Sequence, residues 1–89
     1  MNKLHSNRIV KIKIFPDTFN ILVLFDNGVT KKIDFKKKLD EEFYSDLKNK
    51  LLFQQAQRDA GGYGLSWNDD IDISEFELWN IGENTEDKI

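Results

Sequence analysis

Ile21-Leu22-Val23-Leu24-Phe25-Asp26-Asn27-Gly28-Val29-Thr30-Lys31-Lys32-Ile33-Asp34-Phe35 is the stretch that carries the fold class. Five apolar residues in succession, Ile21 to Phe25, read as a central strand covered on both faces. Asn27-Gly28 between two strand-like runs is a hairpin signal. The expected turn is type I′, with φ > 0 at both central positions. Beyond it, Val29, Ile33 and Phe35 share one face of the next strand, and Thr30, Lys32 and Asp34 the other.

Upstream, Val10, Ile12 and Ile14 alternate with Lys11 and Lys13, a period of two that marks a strand with one wet face. Pro16 and Asp17 end it in a turn. Three antiparallel strands in a meander follow. Downstream, the pattern changes period. Leu39, Phe43, Leu47 and Leu51 recur every four residues and predict one apolar stripe on a helix from Asp40 to Leu51. Asp40 caps it, Glu41 and Glu42 favour its start, and Lys48 and Lys50 its end.

Gln54 to Ala60 carries conflicting signals: Gln and Ala favour helix, while the Gly61-Gly62 that follows favours a turn into a strand over Tyr63 to Trp67. Asn68-Asp69-Asp70 reads as a turn. Ser74-Glu75-Phe76-Glu77 has the capping-box spacing, and a short helix follows, with Phe76, Trp79 and Ile73 able to meet the core and Gly82 as its stop. The reading is an α+β fold: antiparallel three-stranded meander, helix, second β-hairpin and short C-terminal helix. Residues 1–82 form a single domain, and 83–89 a polar acidic tail expected to fray.

Composition bounds the function. The chain has 89 residues, enough for one domain with a thin core, and seven Phe and two Trp to build it. It has no cysteine, which excludes disulfides, thiolate catalysis and cysteine zinc sites. No run approaches the roughly 18 apolar residues of a membrane span, and the first ten residues lack a signal-peptide core. A cytoplasmic protein without membrane contact is expected.

The net charge of −3 hides an asymmetry. Residues 1–50 hold eleven Lys/Arg and seven Asp/Glu, a balance of +4; residues 51–89 hold two and nine, a balance of −7.

Val23-x-Phe25-x-x-Gly28, Ile33-Asp34-Phe35, Leu52-Phe53, Trp67-Asn68 and Ile71-Asp72-Ile73 occur in an order that resembles the small bacterial family called domain of unknown function 2442. The motif positions are Phe25, Asp26, Gly28, Asp34, Phe53, Trp67 and Asp72, and the resemblance spans about Ile9 to Trp79. Asp70 stands where the family has Gly, and Asn27 separates Asp26 from Gly28 where the family has Asp directly before Gly. The resemblance implies strand rather than helix for Gln55–Asp59. It also implies a place in toxin–antitoxin-like pairs beside a second small protein. No cofactor is expected.

Candidate chemistry is sparse. Asp69, Asp70 and Asp72 with Asn68 offer oxygen ligands for a hard cation, but the spacing lacks the glycine of a calcium loop, and a polar turn is the stronger reading. For Asp34 the resemblance implies a structural role, accepting a backbone or Trp67 indole hydrogen bond. His5 is the single histidine and has no nucleophile to serve. Gly61-Gly62-Tyr63-Gly64 lacks the Lys-Ser/Thr of a phosphate loop. No catalytic residue is assigned, and the chain is not expected to be an enzyme.

Two surfaces remain. Tyr63, Trp67, Phe76 and Trp79 lie among acids, where aromatics form core or a partner's hot spot. Lys31, Lys36, Lys37 and Lys38 make a basic patch, read as a solvated strand end or a contact for phosphate. The favoured function is a non-catalytic protein-binding or regulatory module, the antitoxin-like member of a pair with a small basic protein. The alternatives are a nucleic-acid-binding regulator that uses the lysines as a dimer, and an inhibitor protein from a mobile element.

Overall fold

A computed structural model describes residues 7–89. β1 (Ile9–Phe15), β2 (Asn20–Phe25) and β3 (Thr30–Asp34) form the expected antiparallel meander. Its register contains one irregularity with consequences. Ile9 pairs with Phe25 but Lys11 pairs with Leu24, so Val10 is an extra residue in β1. Such a bulge reverses the alternation. Ile9, rather than Val10, therefore joins Ile12 and Ile14 on the inner face; Ile9 is buried and Val10 exposed.

The turn after β2 also differs from expectation. Only Gly28 has positive φ (88°), and its N–H donates to the Phe25 carbonyl at 3.0 Å. Phe25 N–H then donates to the Val29 carbonyl at 2.9 Å. A three-residue loop ending in a left-handed glycine is the geometry of a type I turn with a bulge, not type I′. Asn27 is thus part of the loop length, and its side chain accepts from Val29 N–H at 3.0 Å.

β2 is central. Ile21, Val23 and Phe25 point into the core, and Leu22 is closed off on the opposite face. There its ladder neighbours are Lys13 and Lys32, whose aliphatic stems can cover apolar surface while their ammonium groups stay wet.

The predicted helix from Asp40 to Leu51 is not continuous. Two 3₁₀ segments, Lys38–Asp40 and Glu42–Lys48, precede a four-residue helix α1 (Lys50–Phe53). Extended backbone at Glu41 and Asn49 breaks the run. Asn49 caps α1, accepting from Leu51 and Leu52 N–H. With a tighter helix the stripe of four shears: Leu39 and Leu47 stay buried, while Phe43 and Leu51 are exposed. Tyr44 and Phe53 take the vacated core positions.

β4 (Gln57–Arg58), β5 (Gly64–Ser66) and β6 (Asp72–Ser74) form a second, three-stranded antiparallel sheet, so the second hairpin gains a strand. Of the ambiguous segment Gln54 to Ala60, Gln57–Arg58 is strand, Gln54, Gln55 and Ala60 lie in turns, and none of it is helix. α2 (Glu75–Ile81) follows β6 directly, with Ser74 Oγ accepting from Glu77 N–H at 3.1 Å. Only that half of the capping box is used, because the Glu77 side chain pairs with Lys38 instead. Gly82 ends the helix, and Glu83–Asn84, read from the sequence as part of a fraying tail, form β7 against β3. The first sheet thus has the order β1-β2-β3-β7.

Between the two sheets lies an aromatic core. Phe35 is fully buried, with ring centroids of Trp67, Tyr44 and Phe53 at 5.4, 5.5 and 5.8 Å. Phe19 meets Phe53 edge-on at 5.1 Å, although Phe19 itself has φ of 55°. Its carbonyl accepts from Phe35 N–H at 2.9 Å, and that bond with the ring contact holds an unfavourable backbone in place.

Candidate functional site

The four aromatic candidates separate. Trp67 is core: it is buried, and its indole N–H donates to the Phe53 carbonyl at 2.9 Å rather than to Asp34. Trp79 is half-buried, edge-on to Phe25 at 5.0 Å. Tyr63 and Phe76 are 52% and 63% exposed. Glu75 N–H donates to the Tyr63 carbonyl at 2.7 Å, which fixes the start of α2 against the start of β5 and holds the two exposed aromatics on adjoining segments.

The lysine patch separates as well. Lys31 Nζ sits 4.1 Å from the Trp79 ring centroid and donates to the Trp79 carbonyl at 2.9 Å. Lys38 pairs with Glu77 and, at 3.4 Å, with Glu41. Its hydrogen bond to Glu77 raises the Lys38 pKa against the lowering effect of burial. Lys36 and Lys37 remain exposed. By register, Lys11, Lys13 and Lys32 share the outer face of the first sheet, a grouping absent from the sequence reading because it spans two strands.

The acidic turn is organised by an amide. Asn68 Oδ1 accepts from Asp70 and Ile71 N–H, both at 2.9 Å. Asp69, Asp70 and Asp72 are exposed, and among the described residues no group of three or more His, Cys, Asp or Glu is placed to hold a metal ion. Asp34 Oδ1 accepts from Lys36 N–H at 3.0 Å, a local turn bond. His5 lies outside the described residues. Among them no helix is long and apolar enough to cross a membrane.

A family model described as a protein of unknown function, DUF2442, matches residues 9–84. The chain belongs to this family. No curated protein and no solved structure matches it. The positions that carry the DUF2442 resemblance are placed in its scaffold. Phe25, Phe53 and Trp67 are core, Gly28 makes the turn, and the Asp72 carbonyl accepts from Tyr44 Oη at 3.1 Å. Burial raises the pKa of that Tyr44 hydroxyl.

One group that the sequence reading passed over stands out in this DUF2442 chain. Glu75, the first residue of α2, is 8% exposed, and its Oε2 is sealed from solvent without a hydrogen-bond partner among the described residues. Burial raises its pKa; Arg8 opposes that shift and Asp59 adds to it. The side of Tyr63 is also occupied, since the Arg8 guanidinium lies 4.1 Å from the ring centroid. Asp59 caps the β4–β5 turn, accepting from Gly61 and Tyr63 N–H at 3.1 and 2.8 Å. Arg8, Asp59, Tyr63 and Glu75 thus converge from three parts of the chain.

The raised Glu75 pKa has a stability consequence with a definite sign. Above the ordinary glutamate pKa of about 4.3, the folded state holds this proton longer than the unfolded state. Stability is therefore lost as pH climbs from there through the raised folded value. Glu75→Gln removes the charge and keeps the shape. We expect it to raise the unfolding free energy read by urea titration at pH 7 by on the order of 1 kcal/mol, with the advantage vanishing near pH 4. A pH-independent difference would show that Glu75 is not a buried charge.

Proposed function

We propose that the chain is a non-catalytic protein-binding module, the antitoxin-like or regulatory member of a small-protein pair in the cytoplasm. The observation that carries this reading is the pair of exposed aromatics, Tyr63 and Phe76, on two segments of the acidic C-terminal part that a Glu75–Tyr63 backbone hydrogen bond joins. Large aromatic side chains dominate the energetics of protein interfaces. The surrounding charge, −7 over residues 51–89, favours a small basic partner. The polar side chains support a scaffold role: Asn20, Asn27, Asn49, Asn68 and Ser74 each serve a local turn or cap. An inhibitor carried by a mobile element would use the same surface.

The test is tagged co-purification of the full chain from its host, native against a Tyr63→Ser/Phe76→Ser variant. The variant should keep its melting temperature within a few degrees, because exposed substitutions change stability by about 0.5 kcal/mol or less. A stoichiometric basic protein that the native chain retains and the variant loses is the expected result. A partner retained equally by both would reject this surface.

A second reading is favoured by Lys11, Lys13 and Lys32 sharing one sheet face near exposed Lys36 and Lys37. It is a nucleic-acid-binding regulator. Recovered nucleic acid whose binding falls steeply with salt would favour it; it draws on neither Lys31 nor Lys38, which are already engaged.

A further inference from the structure

We propose that Tyr63, Glu75 and Asp59 form a binding site for a guanidinium group, filled in the free protein by the chain's own Arg8 and taken over by an arginine of the basic partner. The proposal rests on the protein-binding reading and names the chemistry of its central contact.

Three observations support it. First, the Tyr63 ring of this site already has a guanidinium against it. Arg8 lies 4.1 Å from the centroid of Tyr63, in cation–π range. Second, Glu75 is an unsatisfied buried acceptor. Its Oε2 has no hydrogen-bond partner, and the charged groups acting on it are Arg8 and Asp59. A carboxylate oxygen closed off from water without a donor is a costly state, which a donor from a bound cation would relieve. A guanidinium suits this geometry because its planar fork can stack on a ring and donate to a carboxylate together.

Third, a groove of about 340 Å³ opens beside the ring; Asp59, Tyr63, Asp72 and Ser74 line it together with the apolar Leu65 and Ile73, and Glu75 follows Ser74 in the chain. Ser66 and Ser74 are small and leave room for a side chain to approach, and Asp59 and Asp72 give it negative charge. Arg8 itself is exposed and sits immediately before β1. Its main chain is pinned, since the Arg8 carbonyl accepts from Asp26 N–H at 2.8 Å. The side chain can therefore swing away without unfolding the strand. A site occupied by an internal group binds an external one less tightly, in proportion to the fraction of time it is free.

The experiment follows the Tyr63 ring and Glu75 side-chain signals by NMR in the full chain. The probe is arginine blocked at both ends, with blocked citrulline as the uncharged control. In Arg8→Ala the blocked arginine should shift both signals saturably, about tenfold more tightly than in the native chain. Tyr63→Leu and Glu75→Gln, made in the Arg8→Ala background, should each abolish saturation while the core Trp67 signals stay unchanged. The absence of saturable shifts in a folded Arg8→Ala protein would overturn the proposal, as would equal binding of citrulline. A basic partner lost on Tyr63→Ser/Phe76→Ser substitution, with no response to blocked arginine, would leave the docking surface standing and reject the guanidinium site alone.

Discussion

Phe35→Ala is expected to bring the domain close to unfolding at room temperature. Phe35 has no exposed surface and touches the rings of Tyr44, Phe53 and Trp67. Truncating a buried Phe costs about 3–5 kcal/mol, because the surroundings close only partly around the cavity. Domains of this size hold roughly 5–15 kcal/mol in all, and the smallest lie toward the lower end. The melting temperature should fall by about 4–8 °C for each kcal/mol lost. Phe43→Ala is the control. Phe43 is 53% exposed, and its loss should cost about 0.5 kcal/mol or less. Urea titration of both variants separates two architectures: comparable destabilisation would mean that Phe43 faces the core from a continuous helix.

Gly62→Ala should be the most damaging change outside the aromatic core. Gly62 has φ of 77°, a conformation that costs a residue with a side chain roughly 1–3 kcal/mol. A Cβ there would also stand 2.5 Å from the Ile9 carbonyl oxygen, which must move. This contact joins the two sheets, for Ile9 N–H donates to the Gly62 carbonyl at 2.8 Å and the Ile9 carbonyl accepts from Arg58. Forcing a close-packed joint apart adds about 1–3 kcal/mol. Gly28→Ala isolates the backbone part, because Gly28 also has positive φ but faces open space. Hydrogen exchange at Ile9 should quicken far more in Gly62→Ala than in Gly28→Ala. Equal protection in the two variants would show that the joint between the sheets does not depend on this contact.

Local patterns predicted the elements that local forces build. The meander is readable because its strands alternate and its turns carry Pro16-Asp17 and Asn27-Gly28. The stop at Gly82 and the cap at Ser74 are equally local. What escaped the pattern depends on distant contacts. The bulge at Val10 puts Ile9 inside, and a bulge adds one residue that no alternation announces. The leucine stripe predicted a helix, yet Tyr44 and Phe53 compete for the same core and win, so the segment tightens into 3₁₀ turns.

The functional residues follow the same division. Trp67 and Trp79 lie in the same acidic stretch as Tyr63 and Phe76, and only the folded chain shows which rings are covered. Arg8, Asp59 and Glu75 are far apart in sequence and have no shared motif. The only hint was an acid directly after the cap of a helix, beside a double-glycine turn.

β7 has a further meaning for how this chain is made. During synthesis the strands β1 to β3 can pair as soon as they emerge, because every contact among them is near in sequence. The far edge of β3, however, receives its partner only when Glu83 and Asn84 have been translated. Lys31 likewise waits for Trp79. Until then the nascent meander carries an open strand edge, the feature through which unfinished chains stick to one another. Lys32 and Lys36, beside that edge, would keep it in solution during the delay. The order of the chain thus lets the first sheet begin to pair early, while its fourth strand is added only after β4, β5 and β6 have been made.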